Sequence, residues 1–121
     1  MKTPPSPETL ALRQDILLCI ISGLLGALSF STLSTGWLIW VALVPFFHVF
    51  YKAPLTWKRG AFLGWVFGTS FYIGVIHWLI ELHPLTWLPG VTHELSLLIV
   101  YGGLVAISLF VSLWLTLFGA L

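Results

Sequence analysis

Charge is what this sequence has least of. Of its 121 residues, Asp, Glu, Lys and Arg make up 7%, while hydrophobic residues make up 59%. About 25% charged is usual for a soluble domain, so a water-exposed fold of this length would lack the polar surface to cover itself. A multi-spanning membrane bundle has no such need, because lipid solvates its outer face and helices satisfy their own backbone. Cysteine is nearly absent too. The lone Cys19 excludes a disulfide within the chain. Set in an apolar run with no base in sequence reach, it reads as a small buried hydrophobe rather than a nucleophile. The basic residues are too few for a nucleic-acid surface, no glycine-rich phosphate loop is present, and no segment repeats. No cofactor is expected.

What is there is a series of four apolar runs: Ile16 to Phe30, Trp37 to Tyr51 with Pro45 inside it, Ala61 to Ile80, and Leu95 to Leu121. A span needs about 20 residues, with about 17 to 25 usable. The third and fourth runs qualify easily; the first two are short and are joined by the turn-like "STLSTG". The fold expected is an all-α membrane protein of about four transmembrane helices, near 16–33, 36–51, 61–80 and 95–118, within a membrane region 16–121. Residues 1–15 read as a polar lead in which Pro4, Pro5 and Pro7 prevent an early helix. That lead is long and weakly basic and further apolar runs follow, so a cleaved signal peptide is not expected.

Lys2, Arg13, Lys52, Lys58 and Arg59 all fall on one side of such a four-span layout. By the positive-inside rule that side is cytoplasmic, as is the N-terminus. Trp37, Trp40, Trp78 and Trp87 then lie near the outer boundary and Trp57 near the inner one, where indoles prefer to sit. Trp65 and Trp114 lie deeper and read as packing residues. Gly60, Gly64 and Gly68, at steps of four, mark a helix face that another helix can approach closely, although glycine is also simply common in membrane helices. The fourth run ends at Leu121 without a polar or basic anchor, and the chain is expected to be part of something larger.

The stretch "HWLIELHPLTWLPG" at 77–90 holds the densest polar chemistry. His48 and His77 differ in depth by about 20 Å on such helices, too far apart to share one haem iron. His77 and Glu81 share a face if the third helix continues past them. "HELSL" at 93–97 has leucine where a zinc-binding H-E-x-x-H motif needs its second histidine, and no metal is expected. Pro84 and Pro89–Gly90 shape a turn, and Glu94 favours the positive end of the helix after it. The candidate interfacial or lipid-path residues are His77, Trp78, Glu81, His83 and Trp87; nothing in the sequence pairs a nucleophile with a base.

"GLLGALSF", the short turn after it, "GWLIWVALVPFF", and then a basic loop leading into "RGAFLGWVFGTSFYIGVIHWLIELHPLTWL" occur in an order that resembles the N-terminal membrane region of apolipoprotein N-acyltransferases. The "IHWL" that ends the glycine-rich helix carries the likeness best, and "ELHPLTWL" is similar to cyanobacterial-type members. The resemblance covers about residues 16–121. It implies a bacterial plasma (inner) membrane protein, membrane phospholipids as one partner, and diacylglyceryl-lipoproteins as substrates of the parent enzyme. Acyl transfer in that family implies a Glu, a Lys and a Cys of an extracytoplasmic nitrilase-like domain, acting through a thioester. No position here matches those three, so no catalytic residue is carried over and the isolated chain is expected to be inactive. The competing reading is a small non-enzymatic four-helix membrane subunit or scaffold.

Overall fold

Pro7 begins the first helix instead of preventing it. In the computed structural model, which describes residues 3–30, 33–52 and 56–121, α1 runs from Pro7 to Leu28. Proline at the first helical position loses no hydrogen bond, and its fixed φ already suits the helix. Ser6 caps the end, its hydroxyl accepting from the Thr9 N–H at 3.3 Å. The helix expected from residue 16 therefore starts well inside the polar lead, and it ends at Leu28 rather than at residue 33. Lys2, and Ser31 and Thr32 of the expected turn, lie outside the described residues.

A 3-10 turn, Leu33–Thr35, leads to α2, Leu38–Tyr51. Helix α3 is Trp57–Ile76, capped by Thr56 accepting from the Arg59 N–H at 3.4 Å. It starts four residues before the expected 61 and gives way to a 3-10 segment, His77–Leu82, before the expected 80. The last rod is α4, His93–Val111, and α5, Leu113–Ala120, parted by one residue, Ser112. Among the described residues there is no strand. Among the described residues, three rods are long and apolar enough to cross a bilayer: Pro7–Leu28, Trp57–Leu82 and His93–Ala120. Helix α2 has 14 residues, about 21 Å of rise against a hydrocarbon core of about 30 Å. This is an all-α membrane protein.

Helix α3 lies at the centre, with α1 and α5 packed along it and α4 against it as well, while α2 packs on α1. Close backbone approach makes this arrangement possible. A Cβ on Gly60 or Gly64 would overlap the carbonyl of Gly119 or of Leu115 on α5, and one on Gly23 would come within 2.7 Å of the Phe67 carbonyl. Gly68 faces Ser112 at the α4–α5 junction. Where backbones come this close, dispersion acts over many atom pairs without a hydrophobic driving force. A compact cluster of Cys19, Phe46, Val49, Leu63 and Phe67 joins α1, α2 and α3, with the Phe46 and Phe67 rings 4.3 Å apart. Trp114 does not pack as expected. It is 73% exposed, since α5 turns its glycine face to α3 and leaves the indole outside.

Most buried polar side chains find partners inside the bundle, as lipid demands, although Ser108 Oγ and Arg59 Nε have none. The buried Ser22 hydroxyl donates to the Ala42 carbonyl of α2, three residues before Pro45. Thr69 donates to Ser112 at 3.1 Å, linking α3 to the last rod. The most consequential group is Asp15. It is 3% exposed, and each carboxylate oxygen takes one cation: Lys52 Nζ at 3.0 Å and Arg59 Nη2 at 2.7 Å. The clamp ties α1 to the end of α2 and the start of α3.

Replacing Asp15 by Asn should lower unfolding stability in detergent micelles by about 1–3 kcal/mol, because both cations lose a charged hydrogen-bond acceptor. Lys52→Gln should cost less, since Arg59 still holds the acid; equal stability of Asp15→Asn and the parent in a denaturant titration would refute the clamp. Gly64→Leu should cost about 1–3 kcal/mol or more through overpacking against α5. Gly102→Ala, at a position with no neighbouring atom within 4 Å, should stay within about 0.5 kcal/mol of the parent; thermal unfolding followed by circular dichroism measures both.

Candidate functional site at the distal end of the bundle

At the end away from the basic residues, the local backbone decides which side chains meet. The α-helical hydrogen bonds of α3 stop at Ile76, and the next six residues wind as a 3-10 helix. With about three residues per turn, His77 and Glu81 no longer share a face, so the condition for pairing them is not met. Trp78 and Glu81 stack three apart instead, both exposed. His77 turns its Nδ1 to the Gly74 carbonyl and stands at the rim of an apolar cavity of about 270 Å³ with Leu24, Ala27, Leu28 and Gly74. The walls come from the distal ends of α1 and α3, held close by the contact of Gly74 with Ala27.

His83 leaves the 3-10 segment in extended conformation, as a residue before proline must. The His83–Pro84 peptide is cis. The loop that follows is held by one serine. Ser96, in the first turns of α4 and 1% exposed, accepts from the Leu85 N–H at 2.9 Å and lies 2.8 Å from His83 Nδ1. This clasp draws the Leu85 side chain inward to 5% exposure. The His83 ring also meets His93 edge to face, with centroids 4.6 Å apart. Gly90 has φ +81°, a left-handed turn open to glycine, and Thr92 caps α4 by accepting from the Leu95 N–H. Trp87 projects from the loop tip, 70% exposed.

The five sequence candidates therefore divide. His83 is part of the clasp, His77 borders the cavity, and Trp78, Glu81 and Trp87 are surface groups. Gly60, Gly64 and Gly68 lie elsewhere, along the α3–α5 contact. Among the described residues, no three His, Cys, Asp or Glu side chains gather as a metal site. Cys19 is fully buried among Phe46, Val49, Leu63 and Phe67, with no base in that cluster. What the distal end offers is an apolar cleft with an imidazole at its rim and two exposed indoles, a side-chain type that favours the lipid–water boundary. Sequence reasoning missed Ser96 and Leu85. A lone serine in "HELSLLIV" was the available signal, because a polar residue that enters a span needs a partner.

The comparisons with known proteins agree on one family. The family model described as the apolipoprotein N-acyltransferase N-terminal domain matches residues 22–121. The apolipoprotein N-acyltransferase of Gloeobacter violaceus (strain ATCC 29082 / PCC 7421) is 39% identical over 84 residues, which cover 68% of this chain and 16% of that relative. No solved structure matches. The matched portion starts within α1 and takes in α2, α3, the distal loop and the last rod, so the chain belongs to the family of apolipoprotein N-acyltransferase N-terminal domains.

Proposed function

We propose that this chain supplies the membrane-embedded part of an enzyme that moves an acyl chain from a phospholipid to the N-terminus of a diacylglyceryl-lipoprotein. It sits as a multi-pass bundle in the bacterial inner membrane, with its N-terminus in the cytoplasm. The basic residues Arg13, Lys52, Lys58 and Arg59 cluster at one end, two of them fixed there by Asp15, which supports that orientation. The distal loop then faces the side on which the family's catalytic domain works.

The observation that carries the reading is the family match over residues 22–121. The distal geometry supports a role for that end: an apolar cleft rimmed by His77 and the exposed Trp78 and Trp87 suit a path by which lipid reaches the reaction. These residues do not themselves perform the transfer. The thiol of Cys19 is sealed inside the helix bundle, closed to a phospholipid ester, which speaks against a thioester of the kind the family uses at this position.

Two measurements test this. The 121-residue chain, given phospholipid and a diacylglyceryl lipopeptide, should yield no N-acylated product by mass spectrometry, and Cys19→Ser should change nothing; product formation would overturn the anchoring role. Grafted into the Gloeobacter relative in place of its matched residues, the chain should support acyl transfer. Changing His77, Trp78 and Trp87 together to Ala in that graft should lower the rate about tenfold, the equivalent of ~1.4 kcal/mol of lost positioning. An unchanged rate would remove the distal loop from the lipid path.

A further inference from the structure

At the basic end, a groove of about 470 Å³ opens between the first turns of α1 and α3. Thr56, Lys58 and Arg59 form its α3 wall, and Glu8 and Thr9 its α1 wall. Leu12 and Phe62 continue it toward the apolar part of the two helices. The polar groups are not equally available. Arg59 is committed to Asp15. Thr56 accepts from the Arg59 N–H, which leaves its own hydroxyl proton to donate. Lys58 stands over the Trp57 ring, 5.6 Å from its centroid, and among the described residues no carboxylate lies within ion-pair distance of its ammonium.

We propose that this groove binds one acidic phospholipid of the leaflet at the basic end. Lys58 and the Thr56 hydroxyl hold its phosphate, and the first carbons of an acyl chain lie along Leu12 and Phe62. The charge balance favours an acidic headgroup: Lys52, Lys58 and Arg59 outnumber Glu8 and Asp15 around the groove, and Asp15 is buried under two of the cations. The lining favours a lipid over a free phosphate, because Leu12 and Phe62 extend the polar rim into a wall that inorganic phosphate would leave unused. Glu8 opposes the bound anion across the groove, which gives the site a signed test. None of this depends on the acyl-transfer role, since the groove lies at the opposite end from the distal loop.

The experiment is native mass spectrometry of the 121-residue chain in micelles doped with equal phosphatidylglycerol and phosphatidylcholine. The wild type should retain phosphatidylglycerol about fivefold over phosphatidylcholine, the discrimination one surface lysine gives toward an acidic leaflet. Lys58→Ala should bring the ratio near parity and Glu8→Gln should raise it. Arg13→Ala, exposed on α1 outside the groove, should leave it unchanged. Equal loss in Arg13→Ala and Lys58→Ala would mean diffuse surface charge and overturn the site. So would a wild-type ratio near one, or displacement of the bound lipid by millimolar inorganic phosphate. Since Lys58 is exposed and makes no buried contact, an unchanged helical circular dichroism spectrum separates loss of binding from loss of fold.

Discussion

Asp15 is a carboxylate placed where neither water nor lipid can solvate it, and the layout of the first three helices follows from how it is neutralised. Removing such a charge from water carries a large penalty unless partners replace the lost hydration. Here the partners come from both sides of one connection: Lys52 after α2 and Arg59 in the first turn of α3. Satisfying one acid thus sets where α1 must lie relative to the end of α2 and the start of α3. Because both cations reach outward to partial exposure, the clamp sits at the edge of the apolar region, where a charged pair is tolerated at lower cost than at mid-membrane.

With that register set, α3 can act as the spine. Its small residues face α5 along one side, and Gly23, Gly26 and Ala27 of α1 meet its other side. The large side chains that would fill a soluble core are displaced outward, toward lipid, and only a short aromatic and aliphatic cluster remains between α1, α2 and α3. The distal loop depends on the same logic at the opposite end, where a single buried hydroxyl, Ser96, replaces what a longer loop would need several contacts to achieve.

The membrane class and the helical content were legible in the sequence because scarcity of charge over long runs admits few other folds. Boundaries were less so. Pro7 was read as a helix breaker, yet its position directly after a capping serine makes it a helix starter, and the difference is one of register that composition does not carry. Asp15 looked like the last residue of a polar lead; only the spatial return of Lys52 and Arg59 shows it to be interior. The spacing of His77 and Glu81 suggested a shared face on the premise of 3.6 residues per turn, and the switch to a tighter helix at His77 removes that premise. Histidine, glutamate and tryptophan at 77–87 are the chemistry-bearing types by composition, whereas the serine that holds His83 and Leu85 in place is marked in the sequence only as a polar residue entering a span.

The shortness of α2 has a consequence for the surrounding bilayer. Its rise of about 21 Å is less than the hydrocarbon thickness, and its outer side presents Trp40, Val44, Phe47 and Tyr51. Lipids beside it meet a shorter apolar wall than those beside α3, and such hydrophobic mismatch is relieved by thinning the leaflet or tilting the helix. Relief by tilting would leave the bilayer near full thickness on every side, whereas relief by thinning would draw headgroups inward along α2 alone and make acyl chains there shorten or splay.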